Sequence, residues 1–133
     1  MIIWIGGEVG LDDKDFESFR NIRNQIEKQF NAHFQKIGYD NKDLEELRLI
    51  LVIRDDEYRG TQGGEEIKKK RGKKIYSRSP RIDYDVFKNA NENQRKKLIW
   101  QTILESFKKL EEKKIDNLEV IEEYIEEQIT RLN

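Results

Sequence analysis

The stretch Leu47 to Ile53 reads Leu-Arg-Leu-Ile-Leu-Val-Ile, and it restricts how this chain can fold more than any other segment. It is too continuously apolar to keep one face in water, so it is expected to be a central strand buried on both sides. In a chain of 133 residues that is 40% charged and 35% apolar, the core cannot be spread evenly. A few strongly patterned segments must assemble around that strand while the rest stays wet.

Those segments can be read on either side of it. Ile2 to Ile5 is a β-branched and aromatic run closed by Gly6 and Gly7, which predicts a strand entering a turn. Asp12 and Asp13 offer N-cap oxygens, and Phe16, Phe19, Ile22, Ile26, Phe30 and Phe34 recur every three or four residues, which predicts a long amphipathic helix. Gly38 is placed to end it in a left-handed conformation. After the central strand, Ile67 to Ser77 is expected to be an edge strand or hairpin interrupted at Gly72, and Arg81 to Tyr84, beyond Pro80, a last strand.

Asn91 with Gln94 forms a capping box before a helix striped by Leu98, Ile99, Ile103, Phe107 and Leu110, widened by Trp100 and Leu104. Asp116 with Glu119 forms another, ahead of Leu118, Ile121, Ile125, Ile129 and Leu132. The expected order is β-α-β-β-β-α-α: an α+β fold with a mainly antiparallel sheet of about four strands and three helices. No Pro/Gly/Ser-rich linker divides the chain, so residues 1–133 are expected to form one domain. Trp4 and Trp100 sit on apolar strand and helix faces and are expected to be structural.

Several classes of function are disfavoured by composition. The 26 basic and 27 acidic residues nearly cancel, which argues for a folded, soluble chain over a disordered one. Without cysteine there are no disulfides, thiolate metal sites or cysteine nucleophiles, as fits a reducing compartment. No basic leader and no run of about 18 apolar residues occurs, so the expected location is the cytoplasm.

Catalysis finds little support. The one histidine, His33, lies inside the first helix without the ligands or partners that a zinc site or general base needs, so it reads as a helix-surface residue. The Gly6-Gly7-Glu8-Val9-Gly10 stretch resembles a phosphate-cradling loop only loosely. It lacks G-x-G-x-x-G and G-K-[ST], and Asp12, Asp13 and Asp15 would repel a phosphate. Neither a catalytic residue nor a cofactor is expected.

Two features suit macromolecular binding better. Asp55, Asp56 and Glu57 follow the central strand; such acidic turns are mostly solvated caps, but here Tyr58 and Arg59, types favoured at interface hot spots, stand beside them. The stretch from Ile67 to Arg81 holds Lys68, Lys69, Lys70, Arg71, Lys73, Lys74, Arg78 and Arg81 and no acidic residue. Lysine on an edge strand deters unwanted pairing, but eight cations also focus a field toward an acidic protein or a phosphate backbone. Aromatic interleaving is confined to Tyr76, which ranks nucleic acid below protein.

The opening Ile3-Trp4-Ile5-Gly6-Gly7-Glu8 resembles the I-W-I-S-G-E type start of a group of small bacterial immunity proteins of polymorphic toxin systems, the immunity family numbered forty-four. The resemblance continues in Phe19 to Glu27, in the apolar strand running into Arg54-Asp55, and in Arg81 to Ala90. Gly6 departs from it, standing where the family look has a small hydroxyl residue, and the Gly60 to Gly64 loop is unusually glycine-rich. The resemblance implies an α+β protein that binds and blocks a cognate toxin, often a nuclease, with no cofactor. The partner-binding residues expected are Asp55, Asp56, Glu57, Tyr58, Arg59, Lys69, Arg71 and Lys73. The alternative is a nucleic-acid-binding accessory domain using the basic 68–81 stretch.

Overall fold

The computed structural model describes residues 1–55 and 65–133, without the side chain of Lys70. Its elements are β1 (Ile2–Val9), α1 (Asp13–Ile37), β2 (Leu44–Ile53), β3 (Glu65–Lys70), β4 (Lys73–Arg78), α2 (Tyr84–Asn89), α3 (Glu92–Glu112) and α4 (Glu119–Arg131). The four-stranded sheet has the order β1-β2-β4-β3. β2 lies parallel to both β1 and β4, and only β3 runs antiparallel, against β4. The sheet is therefore mixed, not mainly antiparallel. The cause is α1: a crossover of that length returns the chain to start β2 alongside β1 in the same direction. β3 then runs to the sheet edge, and β4 returns between them.

Local signals set the ends of α1 as expected. The Asp12 side chain accepts from the Asp15 amide, and Gly38 closes the helix at φ 63° with its N–H on the last carbonyls. The Asn91–Gln94 capping box of α3 is also present. That of Asp116 and Glu119 is not, because α4 begins after Leu118 without any side-chain cap. Instead, Asn41 Nδ2 donates to the Asp116 carbonyl and the Tyr39 hydroxyl to that of Asn117. These tertiary bonds fix a connection in which Lys114 and Asn117 both adopt positive φ.

Three other expectations need correction. Gly6 and Gly7 lie inside β1, not at a turn. Arg81 to Tyr84 is no strand: Val52 makes a single bridge with Arg81, bonded through Pro80 O and Ile82 N. Asp83 then caps α2, so helices number four among the described residues. β2 is the well-buried strand that was expected, but Ile50 is 38% exposed, so one of its faces is open in part.

The helices cover the other face. There, Ile3, Ile5, Leu47, Leu49, Leu51 and Tyr76 meet Phe19, Ile22, Ile26 and Phe30 of α1 and Ile99, Ile103 and Phe107 of α3 in one hydrophobic cluster. Phe30 stands at its centre, with ring centroids 4.7 Å from Phe34, 5.6 Å from Trp100 and 6.0 Å from Phe107. Gly7 makes this packing possible, since a Cβ there would lie 2.5 Å from the buried Phe19 ring. Arg95 is buried as well, paired with Asp15 at 2.8 Å and donating to the Phe87 and Lys88 carbonyls. No helix among the described residues is long and apolar enough to cross a membrane.

Candidate functional site

Parallel pairing places residues of like parity abreast. Ile3, Leu47 and Tyr76 share the helix-covered face, so Trp4, Arg48 and Ser77 share the other. On that second face Trp4 is 45% exposed, with Ile2 and Ile50 also open to solvent. Trp4 is thus not the core residue that its apolar neighbours predict; Trp100, 3% exposed, is. Unlike a typical surface indole, Trp4 lies along its own strand above Gly6, where a Cβ would meet Cη2 at 2.6 Å.

Arg48 stands on β2 opposite Trp4. Its guanidinium is held by Glu46 through Nε–Oε1 at 3.1 Å and Nη2–Oε2 at 3.2 Å, a fork geometry that fixes its plane. The Glu46 contact also raises the Arg48 pKa above its ordinary value. Trp4, Glu46 and Arg48 line a small pocket. The face closes at Val52, which is fully buried where the 80–82 segment bonds to it. The result is an aromatic and apolar platform beside an oriented guanidinium, a combination enriched among interface hot spots.

The carboxyl ends of β1 and β2 lie side by side. There Arg54 Nη1 pairs with Glu8 Oε1 at 3.1 Å, and Arg81 Nη2 donates to the Arg54 carbonyl at 3.2 Å. Asp55 follows, exposed. Asp56, Glu57, Tyr58 and Arg59 lie outside the described residues.

The basic stretch is largely the β3–β4 hairpin, turned by Arg71 at φ 52° and Gly72 at φ 82°. Two successive positive φ values give the turn whose twist matches the strands, and glycine makes the second one inexpensive. Its cations fall into two sets. Lys73 is engaged, with Asp40 Oδ1 at 2.6 Å and Glu45 Oε2 at 3.9 Å, contacts that raise its pKa and lower that of Asp40. Lys68 faces Glu66 at 3.6 Å, and Arg78 donates to Ser106 Oγ. Lys69, Arg71 and Lys74 make no ion pair with any described residue. Of the three hairpin residues expected to bind a partner, Lys69 and Arg71 are therefore available and Lys73 is committed to its neighbours.

His33 is half-buried on α1 and stacks on Tyr124 of α4, with centroids 3.7 Å apart, a packing role between helices. No group of three His, Cys, Asp or Glu side chains suited to a metal occurs among the described residues. The Trp4 platform was not legible as a site, although two signals point to it in retrospect. Gly6 follows Trp4 on the same strand face, and Arg48 interrupts the apolar run.

The family described as Immunity protein 44 matches residues 1–130. No curated protein and no solved structure matches the chain.

Proposed function

The chain belongs to the Immunity protein 44 family, and from that premise we propose that it binds the toxic domain of a cognate bacterial toxin, a nuclease, and neutralises it by stoichiometric protein–protein inhibition. Residues 1–133 act as one immunity-type domain in the cytoplasm of the producing cell, by binding and not by catalysis. The family match, which spans nearly the whole chain, carries this reading. The open sheet face supports it, since Trp4 and Arg48 expose there the side-chain types that anchor protein interfaces.

The contact is centred on the 55–59 stretch, Asp55, Asp56, Glu57, Tyr58 and Arg59, which follows the best-buried strand in the sequence. Lys69, Arg71 and Lys73 stand at the other end of the sheet, beside the start of β2 at Leu44, and form a second, separate part of the surface. Carboxylates suit the basic subsites with which a nuclease holds phosphates. The cations of the hairpin steer an acidic rim and act more on association rate than on final affinity.

The two sets of residues therefore fail differently. Replacing Asp55 and Tyr58 with Ala raises the dissociation rate, whereas neutralising Lys68, Lys69 and Lys70 mainly slows association at low salt. Toxin-binding kinetics on folded variants at two ionic strengths test this. Native dissociation in the Asp55/Tyr58 variant would remove that segment from the interface. A nucleic-acid accessory role, the competing reading, would instead show as binding to DNA or RNA without toxin, weakening steeply with salt.

A further inference from the structure

The two edges of the sheet are finished in opposite ways. The outer edge of β1 is closed by α1: the Ile3 amide donates to Asn31 Oδ1 and the Asn31 amide returns a bond to the Ile3 carbonyl, both at 2.9 Å, while the Ile5 amide donates to Glu27 Oε2 at 2.8 Å. Residues four apart on a helix rise about 6 Å and residues two apart on a strand about 6.6 Å, so the two side chains meet alternate peptides in register. A strand added there would have to displace both side chains from Ile3 and Ile5.

No described residue closes the edge of β3. Lys70 and Lys73 flank the two-residue turn and form its hydrogen-bonded pair, so bonding to β4 alternates back along β3 through Lys68 and Glu66. The main-chain groups of Glu65, Ile67 and Lys69 therefore point away from the sheet, and no described residue bonds to them. The side chains along this edge read Glu-Glu-Ile-Lys-Lys from residue 65 to residue 69. Charge is antisymmetric about Ile67, and Ile67 is 42% exposed.

We propose that two copies of this chain associate through their β3 edges, antiparallel about a two-fold axis at Ile67, joining the sheets into one. In that register Ile67 meets Ile67 of the second copy, each Glu65 meets a Lys69 and each Glu66 meets a Lys68. The three outward-pointing residues are the ones that pair, so each pair exchanges both of its main-chain bonds. An edge of this kind matches itself on main chain, apolar contact and charge together, as a two-fold interface requires. A purely acidic strand would be repelled by Glu65 and Glu66. Lys113, 2.7 Å from Glu65, and the Tyr76 hydroxyl lower the Glu65 pKa and keep its charge in place. Dimerisation would engage Lys69, leaving Arg71 and Lys74 as the hairpin cations without an ion pair to any described residue.

The test uses the full chain and two exposed residues that make no buried contact, Glu66 and Lys68. Sedimentation velocity over a concentration series is expected to show a monomer–dimer equilibrium for the native protein. Glu66→Lys and Lys68→Glu each place like charges opposite one another twice, and each is expected to weaken the dimer by about tenfold or more. An equimolar mixture of the two variants restores complementarity and is expected to dimerise again, with melting temperatures unchanged throughout. A native protein that stays monomeric at every concentration, or a dimer indifferent to both variants, overturns the proposal. So does hydrogen exchange in which the Glu65, Ile67 and Lys69 amides gain protection from toxin but not from self-association, which would assign the edge to the toxin. The first two of these results do not bear on whether the chain neutralises a toxin.

Discussion

The indole of Trp4 rests on Gly6, so close that a Cβ at residue 6 would stand 2.6 Å from its Cη2. Gly7, the next residue, faces the opposite side of the sheet, and its missing Cβ admits the Phe19 ring. Two adjacent glycines thus serve two surfaces, one exposed and one buried. Gly6→Ala is expected to lift the Trp4 ring, change its fluorescence and weaken toxin binding as Trp4→Ala does, with little loss of stability. Gly7→Ala, overpacking a buried ring, is expected to cost about 1–3 kcal/mol. Urea denaturation separates the two, and equal stability losses would contradict the division of roles.

Trp100 and Trp4 are expected to behave oppositely. Trp100 stacks on Phe30 with centroids 5.6 Å apart and is almost fully buried, so Trp100→Ala should cost about 3–5 kcal/mol. Trp4→Ala should leave the melting temperature nearly unchanged. An unchanged melting temperature for Trp100→Ala would refute the core assignment.

How much of this was legible in the sequence depended on whether the determinant was local. The Asp12 cap, the Gly38 terminus and the Asn91–Gln94 box act within one turn, and the pattern revealed them. Asp116–Glu119 has the same form, yet bonds from Tyr39 and Asn41, more than seventy residues away, took over that connection. Strand direction was missed because it follows from the length of α1, not from the strands themselves. β1 shows the limit for the candidate site: in Ile2 to Ile5 every residue is apolar, so alternation between a buried and an open face left no trace, and Trp4 was assigned to the wrong side.

The buried ion pair between Arg95 and Asp15 joins the start of α3 to the start of α1. Asp15→Ala leaves a charged guanidinium without its partner in the interior and is expected to cost about 3–5 kcal/mol. Thermal melts check this; a loss no larger than that of an exposed pair would mean that the Phe87 and Lys88 carbonyls suffice to hold Arg95.

Glu122 on α4 has its pKa pushed up to about 7, first by burial and then by its contact with Glu111. In the unfolded chain a carboxyl loses its proton near pH 4.5, so between that pH and about 7 the folded state binds more protons than the unfolded one. Stability from this group is therefore full at low pH and declines as pH rises through that window. Glu122→Gln is expected to raise the melting temperature at pH 8 and leave it close to native at pH 4. An identical pH profile for the variant would exclude Glu122 as the titrating group.

The central claim, that this member of the Immunity protein 44 family neutralises a toxin by occupying it, is tested most directly by titrating the chain into the purified toxic domain of its cognate system while following that domain's activity. Activity is expected to fall linearly and vanish at one immunity chain per toxin domain, with a complex of the same ratio recovered by gel filtration. Toxin that stays fully active beside an excess of folded chain, or that is inactivated by substoichiometric amounts as a catalyst would do, contradicts it.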